Sequence, residues 1–143
     1  MADGRLRTHD PVWYAAYGSN LSAARLQCYL AGGRPPGSRR VYAGGRDPTP
    51  PRRDLGLVVP GRLGFGAVST VWGGGLAFLD PAASGRVVVR AWLVTFGQFS
   101  DLVAQESRRP VGRDLVLEPA GAGRWAAPSP VYESIVRLDG LDG

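Results

Sequence analysis

The stretch WYAAYGSNLSAARLQCYL, residues 13–30, decides the fold prediction because it begins as a strand and ends as a helix. Aromatic and small apolar residues indicate a strand over 12–17, and the pattern is helical over 21–30. Gly18, Ser19 and Asn20 occupy the junction. A chain that leaves a strand through such residues aims backbone N–H groups at one point. The junction is therefore either a helix cap formed by Ser19 or Asn20, or a pocket for an anion.

Short apolar runs punctuated by glycine follow from Leu55, and RVVVRAWLVT (86–95) is the clearest strand of the chain. Residues 97–106 predict a second helix, and 114–118 and 131–138 predict further strands. Many short strands and two helices indicate the α+β class, as a small mixed, strongly bent β-sheet or partial β-barrel. We expect a flexible N-terminal tail over 1–10 and a single domain over 11–143.

The segment 31–54 is rich in proline, glycine and arginine, and it carries six arginines against two aspartates. A loop of this length in a small domain is typically functional or mobile. We expect it to lie near the turn at 17–20, as a recognition loop or lid for an acidic ligand. A solvated surface without a role remains the alternative.

The composition narrows the possible classes of function. The 143 residues carry a net charge of +5, and all 17 basic residues are arginine. They are scattered among acidic residues without a nucleic-acid-binding motif, so we do not expect a nucleic-acid partner. The chain has one cysteine, Cys28, expected in the core, and one histidine, His9, expected in the tail. We therefore expect neither a metal site nor a Ser-His mechanism, and the lack of a membrane-length apolar run favours the cytoplasm.

Glu106 is the candidate for acid–base chemistry. It follows Phe99, Leu102 and Val103 at helical spacing, which predicts that all four share the buried face while Asp101 and Gln105 point elsewhere. A carboxylate on such a face is costly unless it is paired or useful, and burial would raise its pKa. The alternative is a surface ion pair of Glu106 with Arg108 or Arg109 at the helix end.

Three motifs occur in a fixed order: YGSNL at Tyr17–Leu21, WGGG at Trp72–Gly75, and Gln105-Glu106 at the end of the second helix. Together they resemble the γ-glutamylcyclotransferase-like superfamily over about residues 12–110, most closely its actinobacterial members. Those members are often labelled histone deacetylases. The residues do not support that label, because a zinc deacetylase needs His and Asp ligands that we do not expect this chain to assemble. Ser107 departs from the family pattern, which has glycine after the glutamate.

The resemblance implies an enzyme that cleaves a γ-glutamyl amide by attack of the substrate's own α-amine, releasing 5-oxoproline and an amine. It implies that Glu106 acts as general base and then general acid. The substrate-binding residues that it implies are Tyr17, Gly18, Ser19, Asn20, Leu21, Trp72, Gly74 and Gly75. It further implies a small-molecule γ-glutamyl substrate and no cofactor. Independently of the resemblance, we expect no membrane association, and a monomer or homodimer.

Three alternatives stay open at this point. The chain could remove a γ-glutamyl group in specialised metabolism, or it could be a catalytically silent module of the same fold that binds a small ligand. The third alternative is a basic protein that binds nucleic acid.

Overall fold

The computed structural model describes residues 5–68, 75–121, 124–126 and 134–136. Strand β1 (Pro11–Ala16) leads through a 3-10 turn (Ser19–Leu21) into helix α1 (Ala23–Ala31). Strands β2 (Arg53–Pro60), β3 (Arg62–Val68), β4 (Gly75–Asp80) and β5 (Arg86–Thr95) follow, and then helix α2 (Phe96–Glu106). Three short strands, β6 (Pro119–Gly121), β7 (Arg124–Ala126) and β8 (Ser134–Val136), complete the described elements. The predicted α+β class is confirmed.

The main sheet has the strand order β1-β5-β2, with both pairs antiparallel. The run of β-branched residues in β5 suits a central strand, because Val87, Val89 and Ala91 are buried in alternation with more exposed residues. Ala16 pairs with Arg90, so the chain leaves β1 directly opposite the middle of β5. This register places the turn at 17–21 beside the side chains of β5.

The remaining described strands form two further antiparallel sheets, β3-β4 and β6-β7-β8. All the described strand pairs are therefore antiparallel, and none has the parallel pairing of a mixed sheet. The strand expected over 114–118 is wrong, because this segment has no regular secondary structure. Residues 131–138 contain only the short strand β8 within their described part.

The two helices pack on the main sheet through a core of Leu26, Leu30, Trp92, Val94 and Leu102. Cys28 is half-buried at the edge of this core, rather than within it. Thr95 begins α2 with a capping box, in which its side chain accepts from the Gln98 backbone N–H and the Gln98 side chain accepts from the Thr95 backbone N–H. None of the helices in the described ranges is long and apolar enough to cross a membrane.

The loop between α1 and β2 is tied to both helices. The backbone N–H of Gly45 donates to Leu30 O, and that of Gly44 donates to Gln105 Oε1. Arg46 donates to Asp101 from its backbone N at 2.8 Å and from its side chain at 3.0–3.1 Å. These contacts place the loop against α1 and α2.

The described part of the N-terminal segment is also held in place, unlike the loose tail expected over 1–10. The carbonyls of Asp10 and Thr8 accept the N–H groups of Phe96 and Gly97 at 2.8 Å each. The Thr8 hydroxyl donates to Asp114. Residues 5–10 therefore pack over the start of α2, where they satisfy two backbone donors that a helix leaves without intrahelical partners.

The second helix differs from its predicted orientation. Asp101 and Gln105, expected to point away from the core, are 2% and 4% exposed, whereas Glu106 is exposed to solvent. The reason is the loop at 44–46, which covers a second side of α2 and supplies donors for both polar side chains. A helix packed on two sides does not have the single apolar face that the sequence pattern assumes.

Candidate ligand site at Glu106 and the turn of residues 17–21

The turn at 17–21 brings Asn20 into contact with Glu106, which lies 86 positions later in the chain. Asn20 is only 3% exposed. Its side-chain nitrogen donates to Glu106 Oε1 and to the Tyr14 hydroxyl, at 3.3 Å each. The strand end, the 3-10 turn and the end of α2 therefore meet at a single polar cluster of Tyr14, Asn20 and Glu106.

The Asn20 amide has one atom without a partner. Its Oδ1 is buried and accepts no hydrogen bond from the described residues. An ionised Glu106 can only accept hydrogen bonds, so the amide nitrogen, and not Oδ1, must face it. A buried acceptor without a donor costs about 1–3 kcal/mol. A ligand with an N–H or O–H group would remove that cost.

Burial by the surrounding protein raises the pKa of Glu106 from its ordinary value to about 7. The side chain nevertheless remains accessible to solvent. Protein therefore surrounds part of the Glu106 side chain, while water reaches the rest of it. A carboxyl with a pKa near neutrality can both accept and release a proton at physiological pH.

Two further tyrosines lie within the electrostatic reach of Glu106. Burial and then the charge of Glu106 raise the pKa of Tyr17, while a hydrogen bond with the Leu79 backbone lowers it. Burial and then Glu106 also raise the pKa of Tyr29, whose hydroxyl donates to the Tyr42 hydroxyl at 3.2 Å. Both phenols therefore stay protonated and can donate hydrogen bonds at neutral pH.

The other predicted residues of the turn have different surroundings. Gly18 and Ser19 are half-buried and Leu21 is 39% exposed. Gly18 has a φ of −118°, so the left-handed freedom of glycine is not required there. The side-chain cap that the sequence allowed is not formed, because Asn20 turns to Tyr14 and Glu106, and α1 begins only after Ser22. The anion-pocket interpretation of the turn stays a prediction.

The structure describes only one of the three binding residues predicted in the glycine-rich motif. Trp72 and Gly74 lie outside the described residues, and Gly75 is the first residue of β4. The roles predicted for these three residues stay predictions.

Residues that sequence reasoning missed complete the surroundings of the site. Tyr14 shares the Asn20 amide with Glu106, and Trp92 and Arg90 donate to the backbone of the turn. Tyr14 belongs to β1, the aromatic strand that precedes the turn. The alternation of side chains along a strand was the signal that could have placed Tyr14 on the inward face. Trp92 and Arg90 belong to β5, and no local pattern connects them to the turn.

The described ranges contain no group of three or more His, Cys, Asp and Glu side chains that could hold a metal ion. Asn20, Tyr14 and Glu106 provide oxygen and amide groups suited to a polar organic ligand. Among the described residues, the chemistry that the site offers is proton transfer and hydrogen bonding.

The chain was compared with protein families, curated proteins and solved structures. No family model matches the chain and no solved structure matches it. The chain is similar to histone deacetylase 5 of Arabidopsis thaliana, with 38% identity over 107 residues. The match covers 72% of this chain but 16% of the relative, so the chain spans a small part of that protein's length.

This comparison corrects the expected function. The predicted γ-glutamyl cyclisation is contradicted, because the similar protein is named for deacetylation. By sequence, this chain is similar to a segment of a plant histone deacetylase.

Proposed function

We propose that this chain binds a small polar ligand at the Asn20–Glu106 cluster and moves a proton to and from that ligand, with Glu106 as the titrating group. The observation that carries the proposal is the buried Asn20 Oδ1, which has no partner among the described residues although the same amide donates to Glu106. A ligand N–H or O–H group fits that oxygen. The earlier expectation of a partial barrel of the γ-glutamylcyclotransferase-like type stays a prediction about the fold alone.

The arrangement supports an enzyme rather than a passive binding site because the carboxyl has a raised pKa. A group that titrates near the working pH is the most effective proton donor and acceptor, and such catalysis contributes about 10²–10⁴-fold in rate. Glu106 has this property and is open to solvent, so a ligand can reach it.

The test is a panel of amino acids, primary amides and N-acetylated amino acids, incubated with the protein and followed by proton NMR for binding and conversion. We expect Asn20→Leu to abolish binding, because it removes the acceptor. We expect Glu106→Gln to retain binding and to lower conversion by about a hundredfold or more. Glu118→Gln, at an exposed carboxyl, is the matched control. Unchanged conversion in Glu106→Gln would refute the proposal.

The comparison favours a second candidate function, which is a contribution to deacetylation. Two features count against this chain acting alone on histones. Its net charge of +5 repels a basic peptide. Histidine and cysteine are common ligands of zinc, and the chain has only one of each. Release of acetate from an acetylated histone peptide, measured with and without added zinc, tests this candidate. Release by the wild-type chain would support it.

A further inference from the structure

The turn that carries Asn20 is held from the sheet through its backbone. Trp92 Nε1 donates to the carbonyl of Asn20 at 2.9 Å, and the donor is buried. Arg90 Nη1 donates to the carbonyl of Leu21 at 3.1 Å. Two successive carbonyls of the 3-10 turn thus accept hydrogen bonds from side chains of β5.

The sheet register explains why these two residues reach the turn. Arg90 and Trp92 are two positions apart, so they share a face of β5. Arg90 pairs with Ala16, the last residue of β1, and the chain passes over this face as it leaves the strand. The carbonyl groups of Asn20 and Leu21 therefore each lie within reach of one β5 side chain.

The guanidinium of Arg90 is itself fixed in orientation. It stacks on the Trp92 ring at 4.0 Å from the ring centroid, and its Nε and Nη2 donate to Asp54 Oδ2 at 2.9 and 2.8 Å. The side chains of Arg90 and Asp54 are 35% and 46% exposed, so the ion pair adds little stability. Its effect is to hold the planar donor group in the position that the Leu21 carbonyl requires.

We propose that Trp92 and Arg90 are positioning residues that hold Asn20 against Glu106. This inference rests on the proposed function, because it assigns them to the same site. A three-residue 3-10 turn has poor internal hydrogen bonding, and this one has no side-chain cap. Both side-chain contacts of Asn20 are already 3.3 Å long. A small displacement of the turn would break them.

The test is the pKa of Glu106, measured by NMR titration of its side-chain carboxyl resonance in folded variants. Trp92→Phe removes the indole donor and keeps an aromatic ring, and Arg90→Lys keeps the charge and loses the planar fork. Both should raise the pKa of Glu106 by about half a unit to one unit, because its carboxylate loses the Asn20 donor. Arg86→Lys, at an exposed arginine of the same strand, should leave the pKa unchanged.

A double-mutant comparison separates positioning from a general structural effect. Asn20→Ala alone should raise the pKa of Glu106 by a similar amount. In that background, Trp92→Phe and Arg90→Lys should add no further change, since they act only through Asn20. Additive shifts would overturn the inference.

The inference and the proposed function fail in different ways. If Asn20→Ala leaves the pKa of Glu106 unchanged, the Asn20–Glu106 contact and the proposed function both lose their support. If Asn20→Ala shifts the pKa while Trp92→Phe and Arg90→Lys leave it unchanged, only the positioning role is refuted.

Discussion

Replacing Glu106 with glutamine should remove one component of the pH dependence of stability. The pKa of the Glu106 carboxyl is about 7 in the folded chain and 4.5 in its reference state. A carboxyl with a raised pKa binds its proton more tightly when the chain is folded. Its contribution to stability is therefore complete below pH 4.5 and is lost as the pH rises through 7.

The size of the effect follows from that interval. A shift from 4.5 to about 7 corresponds to about 3 kcal/mol for a carboxyl fully shielded from water. Glu106 is exposed to solvent, which screens the interaction, so we expect about 1–1.5 kcal/mol. Asp47 contributes with the opposite sign, because hydrogen bonds from Thr49 lower its pKa. It is present in both proteins and cancels in the comparison.

The assay is urea unfolding of the wild type and Glu106→Gln at a series of pH values from below 4.5 to above 7. We expect the variant to gain about 1–1.5 kcal/mol relative to the wild type across this range, with an unchanged denaturant slope. A difference between the two proteins that stays constant with pH would refute the reasoning, because it would mean that folding does not alter the titration of Glu106.

Three further predictions concern the surroundings of the site, each measured by urea unfolding at neutral pH. Asp101→Asn should cost about 2 kcal/mol, because a buried carboxylate loses charge-assisted bonds from Arg46. Asp114→Asn, at the exposed end of the same arginine, should cost less than about 1 kcal/mol. Thr95→Ala should cost about 1 kcal/mol, because it removes the capping box of α2. Equal losses in the two aspartate variants, or an unaffected Thr95→Ala, would contradict these assignments.

The elements that the sequence predicted well are those with a strong local pattern. The run of β-branched residues corresponds to β5. The change from a strand pattern to a helix pattern over 13–30 corresponds to β1 and α1. The predicted second helix begins one residue too late, because α2 starts at Phe96. That start could have been read from Thr95 and Gln98, whose spacing is the signature of a capping box.

The burial of Asp101 and Gln105 could not be predicted from helix periodicity. Their partners belong to the loop at 44–46, about 55–61 positions away, and nothing local specifies that packing. The same holds for the site. The sequence singled out the turn and Glu106 separately, but the contact between Asn20 and Glu106 depends on the pairing of β1 with β5 and the packing of α2 on that sheet.

The most direct test of the central claim is an NMR pH titration of the Glu106 carboxyl resonance in the wild-type chain, assigned by its loss in Glu106→Gln. The account predicts a midpoint near 7, as a carboxyl placed for proton transfer requires. A midpoint near the ordinary value of 4.5 would show a solvated surface carboxylate and would contradict the account.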